Sequence, residues 1–427
     1  MNRGDRVPFV LTWFTSYLPL PESVDPERAL AETVDYWADW EAPIRTFPMW
    51  DAEIRQSLFV LKSLTYEPSG GIVAAPTTSL PEQIGGVRNW DYRYCWLRDA
   101  SLTLIAMLDA GLKSEAFAWR DWLNRAIAGD PADVQIMYGI AGERRLEEYE
   151  VPWLPGFANS APVRIGNAAS KQVQLDVIGE VLNAVYMTEI AGADGSEQGW
   201  AVVRALLKWL TRAWENQDSG MWEMRGPSRH FTHSKVMAWV AFDRGIKMNE
   251  SFGFKGPTDE WRKARDTIRD RIMHDGWNES KGCFTQYFGG DELDANLLQM
   301  VIMGFLPAND PRMIATVAAI EKELLVDGLL LRYRPQKAGV DGLPGTEGVF
   351  LACSFWLAEV WAMQGRIEEA TTLFKRLLSH RNDLGLLAEE YDPRSKQLVG
   401  NFPQAFTHLA LVKCALTLGR LTPAPPE

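Results

Sequence analysis

A chain of 427 residues that is 46% hydrophobic is long enough to bury one large core or two ordinary ones. Its 56 acidic side chains against 44 basic ones give a formal charge of −12, which repels polyanions and argues against nucleic acid; a small neutral partner fits better. The four cysteines (Cys95, Cys283, Cys353, Cys414) form no CxxC and read as free thiols of a reducing, cytoplasmic setting.

Nothing in the pattern asks for a membrane, a metal or a cofactor. The longest apolar run, Val349 to Met363, is too short for a span and contains Glu359. His230 and His233 lack a third ligand at a recognisable spacing. The oligomeric state is left open. With 18 tryptophans and 11% aromatic residues the chain is rich in rings that can stack on sugar faces, although core filling explains tryptophan equally well.

In chain order, Arg6 to Trp13 reads as a strand, too polar and proline-interrupted with its surroundings for a signal peptide. From Pro26 the hydrophobic period becomes helical. Helices are expected near 26–43, 52–65, 99–111, 113–128, 169–190, 198–215, 232–247, 258–274, 291–303, 310–324, 347–363, 367–379 and 402–419. Tight turns such as Ala110-Gly111 and Gln364-Gly365 join some neighbours into hairpins, whereas longer loops lead into 99–111, 232–247, 347–363 and 402–419. Short β-hairpins are expected around Cys283–Gln286 or Leu330–Tyr333, and the tail from Thr422 is proline-rich.

Those longer loops carry the chemistry-bearing residues. In Asn89-Trp-Asp-Tyr-Arg-Tyr-Cys-Trp-Leu-Arg-Asp99, Asp99 can cap the next helix, but Tyr92, Tyr94 and Trp96 beside Arg98 also suit stacking on a sugar and gripping its hydroxyls. In Met221-Trp-Glu223-Met-Arg225, a carboxyl beside Trp222 in apolar company is one whose proton is held more tightly; the alternative is a surface glutamate paired with Arg225. In Leu386-Leu-Ala-Glu389-Glu390-Tyr391-Asp392, flanking apolar residues turn one acid inward, and pattern alone does not decide which. Glycoside hydrolysis needs two carboxyls across one bond, and loops on one rim can supply them.

These three segments, in this order and spacing, resemble glycoside hydrolase family 15, the glucoamylases and bacterial trehalases, from about residue 50 to 420. The resemblance implies an all-α (α/α)6 barrel of six helical hairpins over 46–420, preceded at 1–45 by a remnant of an N-terminal β-domain with a helical linker and followed by a tail at 421–427. It implies an exo-acting, inverting α-glucoside hydrolase that releases glucose from trehalose or short α-glucans. By motif, Glu223 is the general acid and Glu389 the general base; Arg98 and Asp99 bind the terminal glucose; Tyr92, Trp96 and Trp222 line its subsite. Glu390 stands where the family commonly has glutamine; it is expected to bind substrate and is also a rival for the base. Arg332 either reaches the pocket or forms an ion pair, Glu347 reads as a first-turn residue of the following helix, and Trp153 is a candidate for an outer subsite. A catalytically impaired carbohydrate-binding relative is the alternative reading.

Overall fold

The structure, a computed structural model, describes residues 2–192, 197–335 and 341–422. The chain divides into two compact units, 1–46 and 47–427. In the first, helix α1 (Pro26–Glu41) starts where Asp25 accepts the N–H groups of Glu27 and Arg28 and Pro26 presets the first turn. None of its residues is buried. The strand expected at Arg6–Trp13 is not formed: no partner strand pairs with it among the described residues, and a lone strand has no ladder for its N–H and C=O groups. Residues 423–427 of the tail lie outside the described residues.

The second unit is the (α/α)6 barrel. Its helices alternate between an outer and an inner layer: α2 (Asp51–Ser63) and α3 (Leu97–Ala110), α4 (Lys113–Ala126) and α5 (Asp176–Ile190), α6 (Glu197–Ala213) and α7 (Thr232–Phe252). The order continues with α8 (Thr258–Asp275) and α9 (Gln299–Ile302), α10 (Pro311–Leu324) and α11 (Leu351–Met363), α12 (Ile367–Leu378) and α13 (Ala405–Leu421). The inner helices close a ring, α3 on α5, α5 on α7, α7 on α9, α9 on α11, α11 on α13 and α13 back on α3.

Sequence decides the layer. Inner α11 reads LACSFWLAEVWAM, apolar on every side, and all but Trp361 and Met363 are buried. Outer α8 buries only Trp261, Ile268 and Ile272, one stripe at helical spacing with charges elsewhere. Gly111 and Gly365, with φ of 97° and 83°, supply the left-handed turns that reverse the chain after α3 and α11. The expected hairpins form as Trp277–Asn278 on Cys283–Phe284 and Leu325–Val326 on Leu329–Leu330.

Three expected helix starts move, each because the preceding residues serve the rim. α5 begins at Asp176 and not near 169, since Ala168–Lys171 is a 3-10 turn and Gln172–Leu175 braces a neighbouring loop. Residues 291–303 yield a 3-10 turn, Ala295–Leu298, and the short α9. α11 starts at Leu351 because Val349–Phe350 pairs with Glu390–Tyr391, so Glu347 is not in its first turn. No helix among the described residues is long and apolar enough to cross a membrane.

Candidate active site

A cleft with about 670 Å³ of empty space, counting the part open to solvent, lies where loops enter the inner helices. Tyr92, Trp96, Arg98, Asp99, Trp222, Glu223, Arg332 and Glu389 all line it. Five of the six loops or strands that lead into inner helices contribute, and the sixth reaches it through Asp294, which accepts the Trp222 indole N–H at 2.9 Å.

Glu223 sits on a turn between α6 and α7. Its φ is 57°, a left-handed conformation that costs a non-glycine residue roughly 1–2 kcal/mol. Hydrogen bonds over-determine that turn. The Glu223 N–H donates to the Gly220 carbonyl and the Met224 N–H to the Ser219 carbonyl, both at 3.1 Å. The Gln172 side-chain amide donates to the carbonyls of Glu223 (3.2 Å) and Met224 (3.0 Å). The carboxylate accepts the Trp96 indole N–H at 2.7 Å and lies 4.0 Å from the Arg98 guanidinium. Burial raises its pKa, against the pull of Arg98 and the Trp96 hydrogen bond.

Glu389 enters from the loop between α12 and α13. Tyr92 O–H donates to its Oε1 at 2.7 Å, while buried Oε2 has no partner among the described residues. Space for it depends on Gly400: a Cβ there would stand 2.8 Å from Oε2 and 2.9 Å from the Glu389 Cβ. Burial first, and then the charge of Glu82, push this carboxyl up to about 8, while Arg332 and the Tyr92 hydrogen bond pull it down.

Asp99 is not the cap of α3, a place taken by Trp96; it stands in the first turn, buried, with the Arg98 Nε 3.0 Å from its Oδ2. Arg98 also donates to the Met221 carbonyl and lies over the Phe406 ring. Beneath it, burial pushes Asp176 up to about 7 and Glu180 to about 8, with like charge from Asp218 and Asp176 adding respectively. His233 is held neutral, pushed down to about 3 by burial and the Arg98 charge.

A buried ion network backs the Glu389 wall. Arg332 pairs with both oxygens of Glu347 (2.8 and 2.7 Å) and reaches Glu82 at 3.4 Å; Arg88 meets Asp341 at 2.6 Å and Glu347 at 3.2 Å. Arg332 therefore does both things expected of it, lining the cleft and forming an ion pair. Glu347, expected as a first-turn residue, is the hub between two guanidinium groups. Carboxylate oxygens of Glu82, Glu347 and Glu390 lie within 4.8 Å of one another, a spacing that could admit a cation, but Arg332 and Arg88 already supply the counter-charges there. Glu390 is fully buried, accepts the Gly348 N–H at 2.7 Å and is not among the residues lining the cleft.

Pattern reading passed over several lining residues. Glu82 accepts the Trp90 indole N–H at 2.9 Å, and Arg225 stacks 4.2 Å above Trp90 while pairing with Glu148 at 2.7 Å. Glu82 lies in a loop with no aromatic–acid pattern, so only the fold identifies it. Trp90 stands inside the motif segment and carried a visible signal. Glu223 is not the surface partner of Arg225, whose carboxylate partner is Glu148. Tyr94 and Trp153, the latter 77% exposed, lie outside the cleft.

The chain is 43% identical to a trehalase of Mycolicibacterium smegmatis over 423 residues, 97% of this chain and 62% of that protein. It is 38% identical to a trehalase of Thermoplasma volcanium over 387 residues, 90% of this chain and 61% of the other. It thus spans less than two thirds of the length of these relatives. A bacterial glucoamylase complexed with acarbose superposes with a TM-score of 0.69 at 14% identity, covering 93% of this chain and 59% of that one. The glucoamylase from Saccharomycopsis fibuligera gives 0.68 at 11%, covering 87% and 95%; at these identities both share the fold. Residues 53–416, which span the helical ring and all the cleft residues named above, match glycosyl hydrolases family 15, and the chain belongs to that family.

Proposed function

We propose that this chain hydrolyses the α-glucosidic bond of trehalose or a short α-glucan, releasing glucose with inversion at the anomeric carbon. The observation that carries this reading is a pair of carboxyls on separate loops of one cleft, each held by its own aromatic donor. Kinship with trehalases at 43% identity favours trehalose among the substrates.

Glu223 gives its proton to the glycosidic oxygen as the bond to C1 breaks, and the departing sugar leaves as a neutral alcohol. Glu389 takes a proton from a water whose oxygen bonds to C1 from the opposite face. Arg98 and Asp99 offer donors and an acceptor to the hydroxyls of the terminal glucose, and Tyr92, Trp96 and Trp222 wall it.

The test is a panel of trehalose, maltose and isomaltose followed by NMR from the first turnover. Inversion on trehalose yields α- and β-glucose in equal amounts before mutarotation, because the leaving sugar keeps its configuration. Release of α-glucose alone would show retention, and no release from any of the three would remove the hydrolase reading.

A further inference from the structure

The left-handed backbone at Glu223 is held by a residue that does not line the cleft. Gln172 lies in the extended stretch before α5, and this stretch is tied to the Glu223 turn repeatedly. The Ser219 N–H donates to the Val173 carbonyl at 3.0 Å, and the Leu175 N–H to the Asp218 carboxylate at 3.0 Å. The Gln172 amide then spans the two consecutive carbonyls that flank Met224, those of Glu223 and Met224, at 3.2 and 3.0 Å. Its own oxygen faces the Gln174 amide at 3.4 Å, which fixes which end of the side chain donates.

A backbone in this conformation persists only where its surroundings over-determine it, and a side-chain amide is one of few groups that can serve two adjacent carbonyls. The other partners of the turn, Gly220, Ser219 and Val173, act through main-chain atoms, and Gly220, with φ of 64° and the Phe231 ring where a Cβ would stand, is itself required there. Trp96 holds the carboxylate itself and Arg98 the Met221 carbonyl, while Gln172 is the side chain that holds the main chain at Glu223 and Met224. We propose that Gln172 is a positioning residue for proton donation, clamping the Glu223 turn so that its carboxyl stays between Trp96 and the cleft.

The proposal rests on reading Glu223 as the general acid, and leaving-group chemistry tests both separately. A disaccharide needs protonation of its leaving oxygen, whereas α-glucosyl fluoride needs far less. Gln172 is partly exposed, so substitutions there are compatible with a folded barrel. Gln172→Met keeps the volume and removes the amide; Gln172→Glu keeps an acceptor in place of the donors.

For both variants we expect kcat on trehalose to fall at least tenfold, with KM and the rate on α-glucosyl fluoride changing far less. The alkaline limb of the trehalose pH profile should move to lower pH, because a Glu223 freed toward water loses the desolvation that holds its proton. Equal losses on both substrates would mean a merely structural role and overturn the proposal. Glu223→Gln is the control: if it too loses both substrates equally, the general-acid reading falls and takes the proposal with it. If Glu223→Gln spares the fluoride while the Gln172 variants do not, the clamp alone is refuted.

Discussion

Tyr92 and Trp96 stand edge to face, ring centroids 5.3 Å apart, and each donates one hydrogen bond to a different cleft carboxyl, Tyr92 to Glu389 and Trp96 to Glu223. One short segment ahead of α3 thus fixes both acids relative to each other. Tyr92→Phe removes a donor that favours ionised Glu389, so its pKa rises and the acid limb of kcat/KM should move up by about one pH unit. A limb that stays in place would show that Tyr92 does not serve the base.

Glu223→Gln and Glu389→Gln should each lower kcat on trehalose by about 10²–10⁴-fold. Neither removes volume, so thermal unfolding should stay within a few degrees of the parent. Loss of activity with loss of the fold would sink the catalytic reading of that residue.

Both carboxyls are held above their ordinary range, Glu389 at about 8, so the fraction with an ionised base grows as the medium becomes more alkaline. Activity should therefore climb on the acid side well above the usual carboxylate range. Glu82→Gln deletes the negative charge that lifts Glu389, and the acid limb should move to lower pH. Movement in the other direction would contradict the electrostatic account.

Asp176, Glu180 and Asp218 have pKa values raised to about 7, 8 and 6, chiefly by burial. Ionising them costs more inside the barrel than in the unfolded chain. The stability they contribute is full below their unfolded values, near pH 4, and is lost as pH rises through about 6 to 8. Calorimetry should show Tm declining across that window, with a shallower decline in Asp176→Asn. An unchanged slope would mean that Asp176 does not titrate there.

Glu347→Ala strands the guanidinium groups of Arg332 and Arg88 without their shared partner and should cost about 3–5 kcal/mol in chemical denaturation. Glu347→Gln retains acceptor and donor atoms in the same volume and should cost less.

How much of this was legible depended on whether a residue's role is local. α11 and α13 announce themselves because a helix buried on all sides must be apolar all round. Tyr92, Trp96, Arg98 and Glu223 were visible because aromatic and charged groups crowd into short loops. The inward turn of Glu389 and the burial of Glu390 against Gly348 could not be read, since the choice is made by pairing of Glu390–Asp392 with Val349–Phe350 and Gln397–Val399. Gln172 acts on Glu223, 51 positions away, Glu347 joins Arg332 to Arg88, 259 positions before it, and Glu82 acts on Glu389 across most of the chain, so their own neighbourhoods do not show what they do. The strand reading at Arg6–Trp13 failed for the converse reason: its local pattern was adequate, and no strand pairs with it among the described residues.

The alternation of outer and inner helices has an electrical consequence. Because the long loops all run from an outer helix into the start of an inner one, the cleft gathers at the amino-terminal ends of the ring. Each such end except that of the four-residue α9 carries roughly half a positive charge from its aligned peptide dipoles. In a chain of net charge −12, a cleft lined by Glu82, Asp99, Glu223, Asp341 and Glu389 is also where the backbone presents positive potential. The ring thus acts as a built-in counter-ion for the acids at its mouth.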